Sequence, residues 1–383
     1  MNTLFEFFDK DPLENIVTCL NYKFDRVVYF GFHSEMDKYS KDTLENNLLE
    51  ICNIKDVDFI EVSEKSYERL FAVIADEIIR EKQKGSLCFF DITGGNEASL
   101  TAVGQFAATH KISVHKFDIH TNKITYCIKG EHLLEKDVPK QEIHFNINKL
   151  ISFYSGRVEK RTIKTFKNNV QTMDREKINA IWNIALPDMK KWNCFCSVLS
   201  ACKSSNYTST SELLNCSDLQ AQCQKKELCS VNCFCDYLKG LYTENIISGL
   251  NISKKQISFK YSSVDLRSIL FDSGSILEIH SFLEFIDTKK YDDCKIGVHI
   301  SWENDDKNVV YNEIDIMLLE GHIPTFISCK NGNIDQNVLY ELETISNRFG
   351  GKYAKKELIT AYPLPPHLSM RAKEMDIKVT SIT

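Results

Sequence analysis

The sequence predicts an α/β protein of more than one domain, and three observations carry the prediction. Short apolar runs alternate with amphipathic stretches through the first third, two longer apolar runs with charged ends form a hairpin pattern in the last third, and a cysteine-rich segment of helical character lies between them. At 383 residues, 43% hydrophobic and 26% charged, the chain is long enough for two or three domains with their own cores, and its composition is not that of a disordered chain. The net charge of -6 supplies no global attraction to nucleic acid, so binding such a polyanion requires local basic groups or a metal. No uncharged stretch reaches the roughly 18 residues of a membrane span. The start Met1-Asn2-Thr3-Leu4-Phe5-Glu6 lacks a basic region ahead of an apolar core, so a cytoplasmic location is expected.

Taken in order, Val27–Phe30, Val57–Val62, Leu87–Phe90 and Ile112–Phe117 read as strands, and Lys41–Cys52, Tyr67–Lys82 and Ala98–His110 as the helices that separate them. That β-α-β-α-β-α-β rhythm predicts a mostly parallel, doubly wound sheet over residues 1–142, and ligands of such sheets collect beyond the carboxyl ends of the strands. One of those ends reads Phe89-Phe90-Asp91-Ile92-Thr93-Gly94-Gly95-Asn96-Glu97-Ala98-Ser99. The glycine pair lets backbone approach a ligand, and the next helix turns free N–H groups and a positive dipole end toward an anion. A tight strand-to-helix turn with Thr93 as cap explains the same residues. The loop is neither a Walker loop nor Gly-x-Gly-x-x-Gly, so a nucleoside triphosphate or dinucleotide is poorly supported.

Residues 143–257 read as a mostly helical connector. Ser155–Lys167 is basic and alternating, and reads as facing solvent ahead of contacting nucleic acid. The polar tract Lys203–Ser211 reads as a loop, with Ser209 or Ser211 capping the helix that follows. The chain has 14 cysteines, and Cys194, Cys196, Cys202, Cys216, Cys223, Cys229, Cys233 and Cys235 crowd into this region. Their spacings do not reproduce the paired Cys-x2-Cys of a zinc ribbon, so free thiols are expected ahead of structural zinc, and a disulfide framework is less expected still.

The last segment, 258–383, carries the most specific pattern. Tyr311–Leu319 and Thr325–Cys329 are strand-length apolar runs joined by Glu320-Gly321-His322-Ile323-Pro324, a turn between antiparallel strands. Alternation places Glu313 and Asp315 on one face and Ser328 and Lys330 on one face. Carboxylates there suit a hard divalent ion, and a lysine beside them can neutralise charge developing on a phosphodiester. Gly274–Leu283 reads as a helix start with Glu278 in its first turns.

These residues resemble the PD-(D/E)XK nuclease superfamily, whose pattern is a helical Glu, a hairpin Asp, then an acidic residue, any residue and Lys. Glu278, Asp315, Ser328, Cys329 and Lys330 fill those positions, with Ser328 where an acidic residue is usual. The resemblance implies catalysis by Glu278, Glu313, Asp315, Ser328 and Lys330, with Mn²⁺ or Mg²⁺ held by Asp315, Glu313, Glu278 and the backbone carbonyl of Cys329. Asp91-x-Thr93-Gly94-Gly95 is similar to the signature of CARF domains, Rossmann-like sensors of cyclic oligoadenylates, although Asn96-Glu97 replaces the common Thr-Lys. Through that family, Gly31, Phe32, His33 and Ser34, in the loop taken to follow the first strand, face one pocket with Thr93, Gly94, Gly95 and Asn96. Together the two resemblances match the CARF nuclease effectors of type III CRISPR systems, with later support from Asn331-Gly332, Gly350-Gly351-Lys352 and Leu368-Ser369-Met370-Arg371-Ala372. They imply a CARF sensor, a winged-helix-like connector and a restriction-endonuclease-like α/β domain. They also imply a homodimer activated by cyclic tetra-adenylate and cleaving single-stranded DNA or RNA or nicking duplex. A ligand-responsive transcriptional regulator and a catalytically inactive ligand-binding module are the rival readings.

Overall fold

The computed structural model of the chain describes residues 1–62, 66–110, 112–127, 133–159, 165–202, 210–226, 229–302 and 311–382. Its first unit runs β1 (Asn2–Phe7), α1 (Val17–Asn21), β2 (Arg26–Phe32), α2 (Lys38–Cys52), β3 (Asp56–Val62), α3 (Tyr67–Gln83), β4 (Leu87–Asp91), α4 (Glu97–His110), β5 (Val114–Asp118) and β6 (Lys123–Cys127). Among the described residues the sheet order is β3-β2-β1-β4-β5-β6, parallel except for β6 against β5. The order reverses between β1 and β4, which puts the ligand crevice of a doubly wound sheet beyond those two strands. Asp37 and Ser66 accept from the N–H groups of Ser40 and Arg69, so α2 and α3 begin on side-chain caps.

The sheet is the one expected, with two strands more: β1 at its front and the antiparallel edge strand β6 at its end. β1 was missed because Glu6 sits among Leu4, Phe5 and Phe7 and interrupts the apolar pattern, yet Glu6 is fully buried. Two expectations shift with it. Asp91 ends the fourth strand, and Gly31 and Phe32 lie inside the second, so the loop after the first strand is the Phe8–Ile16 segment.

The chain continues through α5 (Leu133–Asp137), α6 (Ile147–Phe153) and β7 (Gly156–Val158), then a 3-10 helix at Thr165–Thr172. The connector follows as α7 (Arg175–Ala185), α8 (Met189–Cys202), β8 (Ser211–Asn215), α9 (Cys216–Lys225), α10 (Val231–Thr243), β9 (Ile247–Ile252) and β10 (Gln256–Tyr261). Its strands pair antiparallel in the order β8-β10-β9 against the helices, a winged-helix-like arrangement. Ser211 therefore opens a strand instead of capping a helix, because Leu214 points into the connector core beside Ile257 and Phe259. The rest of that polar tract, 203–209, lies outside the described residues, as do 160–164 of the basic stretch.

The last unit is α11 (Val264–Leu270), α12 (Ser275–Asp287), β11 (Asp293–Trp302), β12 (Tyr311–Glu320), β13 (Ile323–Lys330), α13 (Gln336–Gly350), β14 (Lys355–Thr360), α14 (Pro366–Glu374) and β15 (Ile377–Ser381). Among the described residues its sheet order is β15-β14-β13-β12-β11-β7, so β7 crosses from before the connector to become an edge. The hairpin turn is tighter than expected: Gly321 at φ +60 and His322 close it, and Pro324 is already paired with Leu319. Alternation along this hairpin separates two cores. Met317, Leu319 and Phe326 belong to the core that also holds Leu4 and Phe8 of the first unit, whereas Ile316, Leu318, Ile327 and Cys329 belong to the core that also holds Trp192, Phe195 and Phe234 of the connector. The hairpin thus has α6 and α13 on one face and α12 on the other. No helix among the described residues is long and apolar enough to cross a membrane.

Candidate active site

The nuclease residues meet at the open end of the β12–β13 hairpin. Ile316 and Ile327 are directly paired, and one residue beyond them Asp315 accepts hydrogen bonds through Oδ2 from the N–H of Cys329 at 2.7 Å and the hydroxyl of Ser328 at 3.2 Å. The Lys330 ammonium stands 3.7 Å from the same oxygen, with its side chain 35% exposed, so it is anchored near Asp315 and still reaches solvent. Ser328 thus acts as a donor that aims Asp315, in place of the carboxylate expected there. Cys329 enters the site through its N–H and is itself buried; that burial, with Asp315 and Glu278 nearby, holds its thiol well above the ordinary range.

Glu278 lies in the first turn of α12, as its position in sequence suggests, and is buried against this end of the sheet. The unexpected neighbour is Lys167. Its ammonium pairs with Glu278 and lies 3.3 Å from Glu313 Oε1, while its side chain is only 1% exposed. Burial alone would lower its pKa, but Glu278, Glu313 and Asp315 outweigh that and hold the amine protonated. The expectation that the basic stretch faces solvent is wrong at this residue. A lysine in such a stretch gives no local sign of burial, because its partners lie 111 and 146 positions away.

Asn331 closes the rear of the site. Its side-chain amide donates to Asn193 Oδ1 and to the Ser273 carbonyl, both at 2.8 Å, and Asn193 donates back to the Asn331 carbonyl at 2.8 Å. The connector therefore touches this site through Asn193, and the 3-10 helix that leads into it does so through Lys167.

Among the described residues no three His, Cys, Asp or Glu side chains are grouped to hold a metal ion. The cysteines whose side chains are described are free thiols, and Cys229 has Cys194, Cys233 and Cys223 as neighbours. In the acidic site, Glu278 and Glu313 are turned to Lys167 and Asp315 to Cys329 and Lys330. The donors nevertheless suit a hard divalent ion, since they are carboxylate oxygens, and the ammonium between Glu278 and Glu313 marks a point where this fold already holds a cation.

At the switch point of the first sheet the Thr93–Asn96 turn is held from inside. Thr93 donates its N–H to Asp91 Oδ1 at 2.6 Å and its hydroxyl accepts from Phe117 N–H at 2.8 Å, so Thr93 pins β4 to β5. Gly95 has φ +109, and a Cβ there would lie 2.8 Å from that of Phe7, so packing as well as conformation demands glycine. Its N–H donates to Asp9 Oδ2 at 2.9 Å. Asn96 caps α4 by accepting from Ser99 N–H at 3.0 Å. Gly31 packs under Met36 and Phe32 is buried, whereas His33 is exposed and paired with Glu61 at 2.5 Å. Ser34 lines a cavity of about 770 Å³ together with Asp9, Lys10, Asp11, Arg348 and Lys352, so the space beside the switch point reaches the nuclease unit. Asp9 and Asp11 were not among the expected residues, since they follow the strand that sequence reading missed.

Residues 265–382 match the model of the Card1-like endonuclease domain. A comparison with curated protein sequences finds no match. Among solved structures, protein VC1899 of Vibrio cholerae is similar with a TM-score of 0.71 at 15% identity, over 99% of this chain and 94% of that one. Can2 of Sulfobacillus thermosulfidooxidans, solved with cyclic tetra-adenylate, gives 0.65 at 16% identity over 99% and 93%. A type III CRISPR defence DNA nuclease activated by cyclic oligoadenylate gives 0.50 at 12% identity over 95% of this chain and 46% of that one. The chain thus carries a Card1-like endonuclease domain over residues 265–382 and shares the fold of VC1899 and Can2.

Proposed function

We propose that the protein is a homodimeric nuclease switched on by a cyclic oligoadenylate, cyclic tetra-adenylate, and dependent on Mn²⁺ or Mg²⁺. Its substrates are single-stranded DNA or RNA, or duplex DNA that it nicks, in cytoplasmic antiviral defence. The observation that carries the reading is the meeting of Asp315 and Lys330 at 3.7 Å, with Glu278 and Glu313 beside them, inside an endonuclease-type domain. Asp315, Glu278 and Glu313 would hold the ion, with the Cys329 carbonyl completing its shell and Glu313 replacing the charge that Ser328 lacks. When bound, the ion supplies an activated water and charge neutralisation at the phosphate. Lys330, anchored yet partly exposed, neutralises charge developing on the scissile phosphate. The N–H of Cys329 and the hydroxyl of Ser328 keep Asp315 aimed.

The activator is assigned to the switch point, where His33, Ser34, Gly94, Gly95 and Asn96 offer contacts on a base shaped by Gly31, Phe32 and Thr93. The Can2 neighbour was solved with the four-adenylate ring, and a symmetric ring suits an isologous dimer. The free thiols fit a reducing compartment.

The test is cleavage of labelled single-stranded DNA, single-stranded RNA and plasmid, with and without cyclic tetra-adenylate, in EDTA, Mg²⁺ or Mn²⁺, alongside Asp315→Ala and Lys330→Ala. Cutting that requires both activator and metal, and is lost in both variants, supports the reading. Cutting in EDTA, or full activity in Asp315→Ala, overturns it.

A further inference from the structure

Lys167 belongs to no nuclease motif. It is carried by the 3-10 helix Thr165–Thr172 that leads into the connector, yet its ammonium ends between two carboxylates of the nuclease unit. The passage for it is built. Gly297 on β11 takes φ +61, and a Cβ at that position would lie 2.8 Å from Lys167 Cδ, so the strand carries no side chain where the lysine stem passes. With a 1% exposed side chain, the ammonium has exchanged water for Glu278 and Glu313, which is the environment a bound metal cation would have.

We propose that Lys167 is a further residue of the nuclease site: a resident cation, supplied by the connector, that occupies the place between Glu278 and Glu313 and must withdraw for a divalent ion to bind there. Two positive charges cannot share that place, since each raises the free energy of the other at such separations. Metal loading and connector position are therefore linked. The connector meets the site again at Asn193, hydrogen-bonded to Asn331 directly after Lys330, so a shift of the connector moves Lys167 and the end of β13 together. An activator that displaces the connector raises metal affinity, and by reciprocity metal raises affinity for the activator. The inference rests on the metal-dependent nuclease reading given above.

The test measures Mn²⁺ binding to the full chain by titration calorimetry, with cleavage recorded in parallel, for wild type, Lys167→Met and Lys167→Gln. Lys167→Met keeps the stem and removes the charge, and Lys167→Gln also keeps a donor for both carboxylates should the first variant fail to fold. The expected result is Mn²⁺ binding tighter than wild type by roughly tenfold or more without activator, with activator no longer tightening it. Folded variants that bind Mn²⁺ as wild type does, or more weakly, while wild type still cuts with activator and metal, overturn the proposal and leave the nuclease reading standing. Absence of both Mn²⁺ binding and cleavage in wild type overturns the two together.

Discussion

Asp11, in the loop after the first strand of the sensor, accepts the backbone N–H of Lys352 in the nuclease unit at 3.0 Å, across 341 positions of sequence. The same carboxylate accepts the Tyr154 hydroxyl at 2.7 Å, and its neighbour Glu14 takes the Tyr353 hydroxyl at 2.5 Å and the Lys352 ammonium at 2.8 Å. At the other end of this loop Asp9 holds the N–H of Gly95. The Thr93–Asn96 turn is therefore two short steps from the turn that precedes β14, and β14 is paired through Lys330↔Thr360 with the strand that bears Lys330. These contacts join the first and last units directly, apart from the connector.

Removing that contact should uncouple the halves. For Asp11→Ala, cleavage at saturating activator is expected to fall by roughly 5–150-fold, the usual span of an allosteric coupling. Activator affinity, measured by calorimetry, should fall by a smaller factor than cleavage, because Asp11 lines the cavity beside Ser34 but Ser34 and the Thr93–Asn96 turn are kept. A variant that keeps full stimulation would assign the coupling elsewhere.

Gly351 shows how closely the two units fit. It has φ +58, and a Cβ there would lie 2.2 Å from Asp11 Oδ2 and 2.7 Å from the Tyr154 hydroxyl. The left-handed conformation alone costs an L-residue about 1–2 kcal/mol, and the collision adds to it. Gly351→Ala is expected to lower the melting temperature by several degrees, whereas Gly332→Ala, with open space around its Cβ position, should be nearly silent.

At the nuclease site, Asp315→Asn and Lys330→Ala should each lower kcat by roughly 10²-fold or more, the scale seen when a group serving transition-state charge is removed. Ser328→Asp restores the acidic residue of the superfamily pattern beside Asp315, and an added carboxylate should tighten Mn²⁺ binding several-fold by calorimetry. It also removes the hydroxyl that donates to Asp315, so kcat and metal affinity are expected to separate in this variant.

Glu6 gives a pH prediction. It is fully buried and its carboxylate oxygens have no hydrogen-bond partner among the described residues, and burial first, then the charges of Asp91, Glu14 and Asp9, push its pKa well up. A carboxyl whose folded pKa is raised contributes stability fully present below its unfolded pKa and lost as pH rises toward the folded one. Thermal unfolding from pH 5 to 8 should show Glu6→Gln losing less stability than wild type with rising pH. At pH 8 the variant should melt roughly 2–4 °C higher, the shift that 1 kcal/mol produces in a domain of this size.

The parts legible in sequence are those with a local physical period. The alternating helices and strands of the first unit and the β12–β13 hairpin declare themselves through burial at spacings of 3.6 and 2, and Glu278, Asp315 and Lys330 could be placed because each sits at a readable point of a helix or strand. β1 escaped because one carboxyl is buried inside an apolar run, and the turn Thr93–Asn96 looked like an open anion cradle because nothing nearby in sequence announces Asp9.

By itself, then, the sequence determined the fold class and put Glu278 on a helix and Glu313, Asp315 and Lys330 on the strands of one hairpin. Tertiary structure alone decided which partners the charged groups find: Lys167 pairs with Glu278 and Glu313, Glu14 with Lys352, and Asp11 and Asp9 accept the backbone N–H groups of Lys352 and Gly95. The reason is that secondary structure follows from neighbours a few residues apart, while a buried charge must find its counter-charge wherever the packed chain brings one, and sequence distance carries no information about that meeting.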